Sequence, residues 1–185
     1  LRTIARDLNV QAIVTGSLRQ QGDDLSIGIE LVDAREDKIL WRKSYPGKLS
    51  GILDLQDQIA RDVAANLRLQ LTGDEDKQLT KRYTQDPTAY LLHQEGMYHW
   101  HKFSEASLRT AIDYFERALR IDPKFARAHE GLGRCYGAQN SFSLPPRETL
   151  PKAKEAHEKA LQLDGSLAEA HGGMGHYFMF YEHNW

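Results

Sequence analysis

Apolar side chains fall at every second position through much of residues 10–45. Leu25, Ile27, Ile29 and Leu31 alternate with Ser26, Gly28 and Glu30, the pattern of a strand with one buried face. Val10 to Arg19 is rich in β-branched residues, and Ile39, Trp41, Lys43 and Tyr45 extend the alternation into a third run that Pro46-Gly47 ends. Gln21-Gly22-Asp23 and the stretch Asp33 to Asp37 are turn chemistry, so the three strands are expected to form an antiparallel meander. Ahead of them, Ile4 and Leu8 lie one turn apart and predict the end of a helix. After them the period lengthens. Ile52, Leu55 or Gln56, Ile59, Val63, Leu67 and Leu71 predict a long amphipathic helix stopped by Gly73. A one-sided sheet and a helix with one apolar stripe cover each other, so the helix is expected across the meander. The core of this α-β-β-β-α unit, residues 1–72, is thin, and further strands are expected ahead of Leu1 in a longer parent protein.

The second half has a different rhythm. Ala111, Phe115 and Ala118 put a small, a large and a small residue on one helical face, and Asp122-Pro123 then breaks the helix. Ala153, His157 and Ala160 repeat the spacing 42 residues later, followed by Asp164-Gly165. Small residues let a neighbouring helix approach while the ring fills the gap between them. Residues 74–85 are polar and predict a short helix or connector within a linker, 73–86. Asp86 and Pro87 then supply an N-cap and a first helical residue.

These hairpins resemble the tetratricopeptide (TPR) repeat. Aligning Gly96, Gly133 and Gly175 places a first repeat at about 87–122 and a second at about 124–164, with only the first helix of a third from Leu167. The second repeat departs from the pattern: His157 stands where an aromatic is usual, and QNSFSLPPRETL is an insertion. The strand region is similar to the TolB N-terminal-like (FlgO-like) domain. The resemblance rests on Gly16-Ser17, on Leu31 to Ala34, on Trp41, and on Leu55 to Asp57 with Ile59. It implies an accessory part of a larger bacterial signalling protein, joined to a serine/threonine kinase, a nucleotide cyclase or a winged-helix regulator and followed by TPR repeats. The expected fold is thus α+β (a meander covered by a long helix) and then all-α TPR hairpins over 87–185.

Charge changes the picture by exclusion. Net charge is −2, and residues 1–72 hold 10 basic and 10 acidic side chains against 14 and 16 in the rest. A general nucleic-acid or anionic-membrane surface needs a basic excess, so no direct nucleic-acid binding is expected. No apolar run is long enough to span a bilayer. The single cysteine, Cys135, sits among small residues on a predicted helix and reads as buried and inert. The chain opens mid-pattern and stops inside a repeat, as a piece of a longer protein would. The compartment is left open between the cytoplasm and the far side of a membrane.

Candidate chemistry is sparse. His93, His99 and His101 share a helix without the i, i+4 spacing of a zinc pair, and Glu95 with His99 would give two ligands only. There is no nucleophile motif, and Gly131-Leu132-Gly133 and Gly172-Gly173 lie inside helices, where they serve packing. No catalytic residue, metal or cofactor is expected. The TPR resemblance implies a groove on the concave face, and its register points to Tyr90, His93, Met97, Trp100 and His101, then Arg127, Glu130 and Arg134, then Glu169, His176 and Met179. Aromatics flanked by two arginines suit a protein or peptide partner with an apolar anchor and an acidic group. Alternatively Met97 and Trp100 pack against the first domain and the arginines are merely solvated. The alternative to a binding groove is a structural or oligomerising role, in which the uncovered face of Met174, Phe178, Phe180, Tyr181 and Trp185 and the strand edges make a homodimer.

Overall fold

The computed structural model describes residues 2–67, 81–142 and 144–182. Contacts divide the chain into two compact units, Leu1–Arg82 and Tyr83–Trp185.

In the first unit, helix α1 (Arg2–Leu8) leads into β1 (Ala12–Gln21), β2 (Asp24–Asp33) and β3 (Lys38–Lys48), an antiparallel sheet in the order β1-β2-β3. The β1–β2 loop is the pair Gly22-Asp23, with Gly22 at φ 61°, the left-handed conformation a two-residue hairpin requires. At the second turn Asp33 Oδ1 accepts from the backbone N–H groups of Arg35 (2.8 Å) and Glu36 (3.0 Å). Strand β3 does not stop at Pro46-Gly47 as its sequence suggests: Pro46 pairs with Ser26 and Gly47 with Leu25. As an edge strand, β3 tolerates a residue without an N–H. A register shift between Leu31 and Val32 sets Trp41 and Ile39 opposite them, so Leu40 is the extra residue of a bulge.

A short 3₁₀ turn (Leu49–Gly51) enters α2 (Ile52–Asn66), which crosses the sheet face bearing Leu25 and Tyr45 and buries Leu55 against them. The approach is closest at Gly47, where a Cβ would come within 2.4 Å of a Leu55 methyl. Tyr45 is 2% exposed, and its hydroxyl donates to Asp62 Oδ2 (2.8 Å), which also takes Lys43 Nζ (2.6 Å). Those two bonds hold the Asp62 carboxyl below its usual range. Leu67 follows α2 as a turn, while Leu71, Gly73 and residues 74–80 of the expected linker lie outside the described residues.

The second unit is helical: α3 (Pro87–His101), α4 (Glu105–Ile121), α5 (Ala126–Gln139), α6 (Pro146–Leu163) and α7 (Ala168–Tyr177), closed by a π-helical turn (Phe178–Glu182). The expected cap at Asp86 operates, and a second is found that the sequence reading did not name. Asp86 Oδ1 accepts from Ala89 N–H (2.9 Å), and Ser104 and Ser107 form a reciprocal capping box at the start of α4. Part of the expected insertion is helical, since α6 begins at Pro146 and carries Pro151 within it. Each helix packs on its successor, and α5 also touches α3 on one side and α7 on the other, so these three form one layer and α4 and α6 another.

Two rings fix the spacing. Phe115 is wedged between Gly96 and Gly131, at each of which a Cβ would come within 2.6 Å of the ring. His157 is wedged likewise between Gly133 (2.6 Å) and Gly173 (2.1 Å). Ala118, Phe125 and Ala128 pack with Ala89 at the first junction, and 42 residues on Ala160, Leu167 and Ala170 pack with Ala126 at the second. The architecture is the α+β part followed by helical hairpins that the patterning predicts.

Candidate functional site

The second unit holds a cleft of about 500 Å³ on the layer formed by α3, α5 and α7. The last turn of α3 supplies Trp100, with Phe103 just beyond it. Helix α5 presents one face, Glu130, Gly133, Arg134 and Gly137, at the i, i+3, i+4, i+7 spacing. Helix α7 contributes Glu169, Gly173, His176 and Tyr177, and α6 closes the floor with Leu150, Ala153 and His157. Glycines stand where α5 and α7 pass the His157 ring, so both helices lie directly against it.

The polar centre is an ion pair. Glu130 is 6% exposed, and its Oε1 takes both Arg134 Nε (2.9 Å) and Nη2 (2.8 Å). Burial raises the Glu130 carboxyl above its usual range, and the Arg134 charge opposes that rise. The guanidinium of Arg134 also sits 5.5 Å from the Trp100 ring centroid. His157 is 3% exposed, and burial, reinforced by Arg134, pushes its imidazole down to about 4, so it is neutral at neutral pH. Its Nδ1 has no hydrogen-bond partner among the described residues. On the rim, Phe103 adopts φ 44°, unusual for a bulky side chain, with its ring against Trp100 (5.7 Å) and Phe142 (5.4 Å).

Of the residues the TPR register points to, the fold brings Trp100, Glu130, Arg134, Glu169 and His176 into this cleft and sends the others elsewhere. His93 is buried against Phe115 (5.5 Å) and Phe125 (5.0 Å), its imidazole pushed down to about 4 by that burial. Met97 packs on the Phe115 cluster, and Tyr90 is half-buried on α3. His101 is exposed at the end of α3, and Met179 is exposed in the π-helical turn. Arg127 lies 4.2 Å over the Tyr83 ring and does not line the cleft. The lining residues that register misses include Phe103, Asn140, Ser141, Leu150, His157 and Tyr177. His157 was visible as the counterpart of Phe115; the loop residues carried no signal.

A second, smaller hollow beside α2 collects Asp54, Asp57 and Asp62, but Arg82 holds Asp54 (2.6 Å) and Asp57 (2.5 Å), and Asp62 belongs to Lys43 and Tyr45. Among the described residues there is no group of three or more His, Cys, Asp or Glu able to hold a metal ion. No described helix is long and apolar enough to cross a membrane.

The chain is 30% identical over 132 residues to a protein of Rhizobium meliloti (strain 1021) described as "Putative adenylate cyclase 3". The matched stretch is 71% of this chain and 22% of that relative, so the chain spans roughly a fifth of the relative's length. No family model matches the chain.

Proposed function

We propose that the chain is a non-catalytic regulatory region of a larger bacterial signalling protein, and that the cleft of α3, α5 and α7 binds a peptide segment of a protein partner. On this reading the helical hairpins are TPR repeats and the first unit is a TolB N-terminal-like domain; the 42-residue recurrence of wedge and junction residues supports the repeat assignment. The similarity to part of a cyclase-described protein supports a signalling parent. The observation that carries the binding reading is the cleft itself. Aromatic walls surround an oriented ion pair whose carboxylate is buried, the usual composition of a recognition pocket.

Selection from a displayed random-peptide library tests it, with the cleft deliberately plugged as the control. Gly137 lines the cleft, and a Cβ there would meet only Ala153, at 3.9 Å, so the side chain of Gly137→Leu branches into the cleft from an unstrained Cβ. Peptides selected on the native chain are expected to lose binding to Gly137→Leu. Selected peptides that bind both chains equally would remove the cleft from the function.

Exposed Met179, Phe180 and Tyr181 favour a second reading, self-association through the end of the helical unit. Sedimentation that finds a monomer at tens of micromolar would disfavour it.

A further inference from the structure

We infer that the cleft's ligand enters with a basic side chain, a lysine or an arginine, and not with the acidic group that two nearby arginines suggest at first sight. This rests on the peptide-binding reading and narrows it.

Both arginines are already engaged. Arg127 stacks on Tyr83 outside the cleft, and Arg134 directs Nε and Nη2 onto Glu130. An acidic anchor would reach only the outer Nη donors of Arg134, whose charge Glu130 already offsets, and would bring a third carboxylate into a cleft that holds Glu130 and Glu169. The acidic side, by contrast, has unused capacity. Both Arg134 contacts fall on Glu130 Oε1, so Oε2 receives no donor among the described residues. Glu169 lines the same cleft from α7, is exposed, and has no ion pair among the described residues; its charge is felt at Glu130. With His157 neutral, Glu130 and Glu169 outnumber the single lining arginine.

The walls suit the same guest. Trp100, Phe103 and Tyr177 line the cleft and offer apolar surface to the methylene stem of a basic side chain. An ammonium or guanidinium group would donate to Glu130 Oε2 and face Glu169, completing a charge-alternating set with Arg134.

The test uses peptides enriched from the random library on the whole chain, labelled and titrated by fluorescence anisotropy. Enriched peptides are expected to share a lysine or arginine, and replacing it by norleucine should weaken binding about tenfold. Glu169→Gln and Glu130→Gln should each weaken binding by a similar factor. Glu169 is exposed, so its variant stays informative even if the buried Glu130→Gln loosens the fold, which a thermal melt would reveal. Peptides that carry an acidic or uncharged anchor and are lost in Gly137→Leu would overturn this inference and leave the cleft reading standing. Failure to enrich any peptide that distinguishes the native chain from Gly137→Leu would overturn both.

Discussion

At the scale of single residues, the wedge positions carry the sharpest expectations. Adjacent glycines on α7 should behave oppositely. A Cβ at Gly172 meets nothing within 4 Å, so Gly172→Ala is expected to stabilise the chain by about 0.5–1 kcal/mol through helix propensity. A Cβ at Gly173 lands 2.1 Å from the His157 ring, which Gly133 blocks from the other side, so Gly173→Ala should cost about 1–3 kcal/mol. Urea denaturation of the pair checks the contrast. The ring itself has a pH signature. Unfolded, a histidine takes up its proton near pH 6.5, whereas His157 resists protonation down to about 4 because it is buried and faces Arg134 and His176. Between those values the unfolded chain binds more protons, so the contribution is complete above pH 6.5 and is lost as pH falls toward 4. His157→Phe is expected to remove roughly 1–2 kcal/mol of the destabilisation between pH 7 and pH 5, with His93 still responsible for its own share. Denaturation midpoints at the two pH values measure it. Cys135 is fully buried, its thiol pushed up to about 12 by that burial, so an aromatic disulfide reagent should leave it unmodified until the chain unfolds.

At the scale of elements, local chemistry sets where helices start and tertiary contacts set how they stack. The turn between α3 and α4 is short, and the start of α4 depends on the reciprocal Ser104–Ser107 bonds (3.2 and 2.8 Å). Ser104→Ala is expected to lower stability by about 1 kcal/mol, read as a shift in the thermal midpoint. The α5–α6 connection is longer, yet Gly133 and Gly173 still meet His157 as Gly96 and Gly131 meet Phe115. The extra residues are absorbed in the 3₁₀ turn at Asn140–Phe142 and the proline start of α6, leaving the helix stack undisturbed. Two of the turn residues, Asn140 and Ser141, line the cleft, so the insertion shapes its rim.

For the whole molecule, each buried apolar cluster among the described residues draws on one unit alone. The Leu25–Tyr45–Leu55 cluster lies within the first unit, and those around Phe115, Phe125 and Leu167 lie within the second. A piece beginning at Tyr83 is therefore expected to keep its helical circular dichroism and a cooperative thermal transition; a non-cooperative melt would show that its core is incomplete.

Most of the fold was legible in the chain itself. Alternation at Leu25 to Leu31 gave the sheet face, and the recurrence of Phe115 as His157 located the wedges, because side-chain period and helix-breaking residues act locally. The site was legible only in part. Register identified Trp100, Glu130, Arg134, Glu169 and His176 as positions on one side of the hairpins, but it treated Arg127 and Arg134 alike and gave His93 and Met97 to the same surface. Only the packed structure sent Arg127 to Tyr83, His93 into the core and Arg134 onto a buried Glu130. Those outcomes turn on helix rotation and on close approach between residues distant in sequence. Such distances are decided when rings and glycines interlock, and no spacing along one helix encodes them.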